Sequence, residues 1–224
     1  MARSMKGYQS KAPSRAEAAL EWLELHVKEA TWGAVAVLVV VGGIFFYQKS
    51  QAAQAHNAWA ALDEAAQSLP MIAQGNPGNL PLAQSQLEKL VRRYESTSAG
   101  KVGLMLLAQV HYQKGEYQQG IDALKPLTDG DDRYFTAGAI NLAAAGFEQL
   151  HKYPEAAANY QRAAAKARLE TDRASYLLSA ARVLNLAWKR EEAKAIWRQL
   201  AADPTAAGAP EARVRLGELA AAGI

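Results

Sequence analysis

The chain contains no cysteine, which removes disulfides and thiolate chemistry and suits an oxidising compartment. Runs of alternating Val, Ile and Thr are missing too, so nothing in the sequence has the period of a half-buried strand. There is no Asn-x-Ser/Thr acceptor. Catalytic and ligand spacings are absent as well. Gly100-Lys101 lacks the leading glycine and the trailing Ser/Thr of a phosphate-binding loop. His26, His56, His111 and His151 include no i,i+4 pair, and the two in the repeats, His111 and His151, read as structural. Asp129, Asp131 and Asp132 are not followed by the distal glutamate of a calcium loop and read as a solvated turn. We therefore expect no catalytic residue, no metal site, no cofactor and no small-molecule substrate: the chain reads as something other than an enzyme.

The most local absence is that of charge. The 19 residues from Ala30 to Gln48 hold no Asp, Glu, Lys or Arg, in a chain that is 21% charged. At ~1.5 Å per residue such a helix covers ~28 Å, close to the ~30 Å hydrocarbon core. Trp32 and Tyr47 sit at its ends as interfacial anchors. Arg3, Lys6, Lys11, Arg15 and Lys28 precede the stretch and only Lys49 follows closely, which places the N-terminus in the cytoplasm and the remainder outside. Ala53-Gln54-Ala55 has the form of a signal-peptide cleavage site, but the apolar run is too long for one and ends in Phe45-Phe46-Tyr47 rather than in small residues. A buried core helix is the other alternative, yet few are apolar on every face for five turns. Gly33, Ala34, Ala36, Gly42 and Gly43 never fall four apart, so they give the span no small-xxx-small dimer face.

Net charge is +3, and most of that excess precedes residue 50. The pI near 9 does not indicate nucleic acid, because Arg92-Arg93 and Lys189-Arg190 are short separated runs rather than a basic stripe.

Beyond the span the sequence is rich in Ala, Leu, Gln, Glu and Lys, with apolar residues three and four apart, the pattern of an all-α fold. Breaks fall at Pro70, at residues 75–79, at Gly115, at residues 129–132, near Pro154 and at Asp203-Pro204. They recur. Gly115 and Tyr117, then small Gly120, Leu124 and Leu127, are matched 36 residues later by Tyr153, Ala156, Tyr160 and Ala163, and again by Ala193, Trp197 and Leu200. Twelve positions before each small residue lies another: Ala108, beside Leu107, then Ala144 and Ala181. A small residue on each helix of a hairpin lets the backbones approach, and the large residue four positions on fills the space toward the next hairpin.

These features resemble the tetratricopeptide repeat. The departures are His111 for an aromatic, His151 for the turn glycine, Trp188 and Arg190 for glycine and tyrosine, and a period longer than the family's. A degenerate copy precedes them, with Ala83, Leu87 and Leu90 on a helix from Leu82 to Tyr94, partnered by one through Trp59 and Leu62. The expected organisation is a cytoplasmic segment 1–29, a transmembrane helix 30–48 and an extracytoplasmic tetratricopeptide-repeat-like solenoid 49–224. Its hairpins span about 52–97, 100–130, 134–168 and 172–203, and a capping helix 210–222 carries Val214, Leu216 and Leu219. The resemblance implies that first helices line a concave face, which here carries Gln109, Tyr112, Gln113, Asn141, Glu148, Arg182 and Asn185 as candidate partner-binding residues. The Lys/Asn/Arg set that clamps a chaperone's C-terminal carboxylate is missing.

The complete layout resembles the YfgM-type ancillary subunits of the bacterial Sec translocon. That resemblance implies a single-pass protein of the inner membrane whose periplasmic repeats link the translocon to chaperones, with protein partners in or beside the membrane. An architectural subunit of another membrane assembly, respiratory or photosynthetic, is the alternative. An enzyme carrying a repeat appendage is a third reading, with no segment left to hold its active site.

Overall fold

The computed structural model describes residues 49–69, 79–205 and 207–221. The segment 1–29, the apolar stretch 30–48 with Trp32 and Tyr47, and the predicted break at Pro70 lie outside the described residues. The chain divides into two compact units, 1–53 and 54–224, and the helical array belongs to the second. Among the described residues there is no strand, and no helix is long and apolar enough to cross a membrane.

The helices, in chain order, begin with α1, helical over 49–67, α2 (Leu80–Tyr94), α3 (Ser98–Gln113), α4 (Tyr117–Ala123) and α5 (Lys125–Thr128). They continue with α6 (Thr136–Gln149), α7 (Tyr153–Lys166), α8 (Glu170–Leu186), α9 (Arg190–Ala201) and α10 (Ala209–Ala221). Local chemistry sets several starts. Thr97 caps α3, its Oγ1 accepting from the Gly100 amide at 3.0 Å, and Pro81, Pro126 and Pro154 occupy first-turn positions where a missing N–H costs nothing. Glu155, Glu170 and Asp172, Glu191 and Glu192, and Glu211 place negative charge in the first turns of α7 to α10.

Three turns share one geometry. Gly115, His151 and Trp188 have φ of 77°, 57° and 61°. Each donates to the carbonyl three residues back, and the next residue (Glu116, Lys152, Lys189) donates to the carbonyl five back, the paired bonds of a Schellman cap. The helix stops in the same way at all three positions whether the residue is glycine or not, because the two capping bonds fix the left-handed conformation.

Packing follows the chain, each helix lying against its neighbours in sequence: α2 on α3, α3 on α4, α6 on α7, α7 on α8, α8 on α9 and α9 on α10, with α4 and α5 joining α3 to α6. Buried triplets drive this. Ala83, Leu87 and Leu90 of α2, Gly120, Leu124 and Leu127 of α4 and α5, Ala156, Tyr160 and Ala163 of α7, and Ala193, Trp197 and Leu200 of α9 are all buried, as are Ala108, Ala144 and Ala181. A Cβ on Gly120 would lie 2.9 Å from the Ala108 carbonyl oxygen, so the small pair does let α3 and α4 approach.

Three elements differ from expectation. The second helix of the first full hairpin is not continuous: Pro126 has no N–H to offer Asp122, and α4 ends at Ala123, with Leu124 donating three residues back to Ile121 before α5 resumes. The turn at 129–132 is not merely solvated, since Lys101 of α3 and Lys166 of α7 each hold one of its carboxylates, Asp132 and Asp131, at 2.6 Å. The last helix buries Ala209 and Ala212 while Val214 is 58% exposed. Leu216 and Leu219 do pack on the C-terminal core.

Candidate functional site

The seven residues expected on the concave face come from α3, α6 and α8, and they fall into two kinds. Gln109 and Gln113 are exposed, and Asn141 and Asn185 half-buried. The other three are engaged internally. Tyr112 lies between α3, α4 and α6: its hydroxyl donates to the Leu142 carbonyl at 3.0 Å, and a Cβ on Gly120 or Gly146 would strike its ring or hydroxyl at 2.3 or 2.4 Å. Two glycines on successive hairpins therefore make the slot that this ring fills. Burial pushes its hydroxyl pKa well up, so Tyr112 is a neutral donor at any physiological pH.

Glu148 and Arg182 meet across 34 residues of sequence. Arg182 donates from both terminal nitrogens, at 2.6 and 2.8 Å, to the two carboxylate oxygens, and Tyr160 donates to one of them at 3.2 Å. The fork geometry is that of a strong, oriented pair. Arg182's hydrogen bonds hold the Glu148 carboxyl below its ordinary value against the opposing effect of partial burial. Tyr160 is pushed up to about 12, by burial first and by the adjacent carboxylate second. Repeat spacing alone placed both charges on one face; their pairing depends on the helix-to-helix offset, which spacing does not encode.

Beside this pair a pocket of about 240 Å³ opens between α8, α9 and α10, lined by Arg182, Asn185, Trp197, Arg215, Glu218 and Leu219. Trp197 is 3% exposed, and Arg215 donates to Glu218 at 2.9 Å. Of the seven expected residues, the structure brings Arg182 and Asn185 to this pocket with Glu148 bonded alongside; Gln109, Gln113 and Asn141 do not line it. Arg215 and Glu218 were not expected here because α10 reads as a cap, although their placement one turn apart on its polar face was the available signal.

The two histidines of the repeats have partners of their own. His111 is buried, with Nδ1 2.7 Å from Glu116 Oε2, and Lys114 holds the other oxygen at 2.7 Å. This tie braces the turn at Gly115. His151 is exposed, 2.9 Å from the Tyr153 hydroxyl. Among the described residues no group of three His, Asp or Glu is arranged to hold a metal.

No protein-family model matches the chain, and no curated protein matches it.

Proposed function

We propose that this chain is a membrane-anchored adaptor of the tetratricopeptide type, held by residues 30–48 with its N-terminus in the cytoplasm and its helical array in the periplasm. In this reading it is an ancillary subunit that links a translocon of the bacterial inner membrane to chaperones. The observation that carries the repeat reading is the recurrence of one buried triplet, small then large then a third, in α2, α4–α5, α7 and α9. The same cap at 115, 151 and 188 supports it. Such an array offers side chains of its first helices to a partner, and an extended or helical segment of another protein is the occupant its polar face suits.

Crosslinking in the producing cells, extraction of the tagged full-length protein in mild detergent and identification of stoichiometric companions test the proposal. Channel subunits of the translocon together with periplasmic chaperones are the expected companions. Recovery in fixed ratio with a respiratory, photosynthetic or other large membrane complex would replace this reading with that of an architectural accessory subunit.

A further inference from the structure

Each later first helix of the array is backed by the second helix of the hairpin before it: α3 by α2, α6 by α4 and α5, and α8 by α7. On the outer side of the first hairpin no such helix lies among the described residues. There α1 and α2, tied by Ser68 Oγ donating to Gln86 Oε1 at 2.9 Å, leave a groove of about 290 Å³ lined by these two helices alone. Ala65 and Leu90 are its most buried lining residues, 1% and 3% exposed, and Leu82 beside them is 52% exposed. A terminal repeat ordinarily turns a polar face outward. This one keeps an apolar strip.

Charge is divided between the two helices. On the groove α1 carries Glu64, and α2 carries Lys89 and Arg93. All three are exposed. None makes an ion pair among the described residues, and Arg93 only stacks on the Tyr94 ring, 5.4 Å from its centroid. Acid on one wall and bases on the other thus stay apart across an apolar floor. A partner surface of one sign would suit one wall and be repelled by the other, whereas a second copy of the same hairpin suits both. A half-turn about an axis parallel to the helices sets α1 of each copy opposite α2 of the other at equal height. Glu64 then meets Lys89 and Arg93 twice over, once from each copy, as a two-fold interface requires. The same axis keeps both α1 helices running in one direction, the relation that two copies anchored in one bilayer would need.

We infer that the first hairpin is the interface of a two-fold homodimer, in which α1 and α2 of two copies form a four-helix bundle with Glu64 opposite Lys89 and Arg93. This interface uses none of the α3, α6 and α8 residues assigned to partner proteins, so the dimer does not depend on which protein the array serves.

Sedimentation equilibrium of the full-length protein in mild detergent tests the interface. The parent is expected to be a dimer. Glu64→Lys, and separately Lys89→Glu with Arg93→Glu, put like charges across the bundle, and each should weaken the dimer at least tenfold. Mixed in equal amounts, the two variants should pair with each other, because both crossings are again of opposite sign. Gln113→Lys should change nothing. A second measurement needs no charge reversal, and the absence of native cysteine keeps it clean. In membranes of cells that make Glu64→Cys and Lys89→Cys chains together, mild oxidation should yield the mixed disulfide dimer; with Gln113→Cys in place of Lys89→Cys it should not. A monomeric parent, its groove covered by other residues of the chain or by a different protein, overturns the interface. So does a dimer that both charge variants leave intact, as one joined through residues 30–48 would be.

Discussion

Gly115 and Gly120 show how differently one added methyl group acts within a single hairpin. A Cβ on Gly115 meets nothing within 4 Å, but φ there is 77°, so Gly115→Ala is expected to cost about 1 kcal/mol from backbone conformation alone. On Gly120 the same methyl meets the Tyr112 ring at 2.3 Å and the Ala108 carbonyl at 2.9 Å; Gly120→Ala is expected to cost about 1–3 kcal/mol through overpacking. Denaturant melts of the two variants separate these causes when each is combined with Tyr112→Leu: the smaller side chain should relieve Gly120→Ala and leave the Gly115→Ala penalty as it was. The small positions were legible in the sequence because closeness of two backbones tolerates only Gly or Ala, whichever repeat supplies them. Tyr112 was not legible as a wedge, since its slot needs Gly146 on the following hairpin, and no local pattern ties residues so far apart. Ala156, fully buried, tests the register directly: Ala156→Leu should lower stability by about 1–3 kcal/mol, and an unchanged melting temperature would refute the packing described.

Between elements, the pair Glu148–Arg182 ties α6 to α8. The folded pKa of Glu148 lies below that of the unfolded chain, so its contribution is complete above the ordinary glutamate value of about 4.3 and is lost as pH falls through the lower, folded value. After solvent screening this amounts to roughly 0.5–1 kcal/mol. Asp131 and Asp132 are depressed by their lysine hydrogen bonds and act in the same direction. Melting temperature should therefore fall on acidification below about pH 4.3, and Glu148→Gln should make that fall shallower; an identical acid limb in the variant would show the pair to be indifferent to stability. The terminal element makes a separate demand. Ala212 of α10 belongs to the core that contains Trp197 and Leu200, so removing residues 209–224 should expose Trp197. In a chain with Trp22, Trp32, Trp59 and Trp188 changed to Phe, its emission should shift to the red and its quenching by acrylamide should rise. A blue, protected Trp197 would mean that α10 covers nothing. Helix existence and order followed from apolar spacing, whereas the break at Pro126 and the outward Val214 depended on which neighbour each helix found.

For the second unit taken whole, the buried residues form three clusters in chain order, one on α1 to α3, one centred on Leu104, Leu124 and Ala139, and one from Ala144 to Ala212. The middle cluster is the smallest and joins the other two. Leu124 is 0% exposed, and Leu124→Ala is expected to cost about 2–5 kcal/mol. In a chain built from nearest-neighbour contacts that loss should uncouple the ends, so that amide exchange in α2 and in α8 follows two unfolding free energies in the variant and one in the parent. A uniform drop at both ends would refute the linear arrangement. What fills these clusters matters as much as their order. Alanine recurs through all three, at Ala58, Ala83, Ala108, Ala144, Ala181 and Ala212 among others, each 0% exposed. An alanine released on unfolding uncovers much less apolar surface than a leucine. The heat-capacity increment of this unit should consequently sit below the ~12–15 cal/mol/K per residue of ordinary domains. Its stability would then change slowly with temperature, a shallow dome rather than a steep one, so that cold and warm surroundings alike leave the same helices in place.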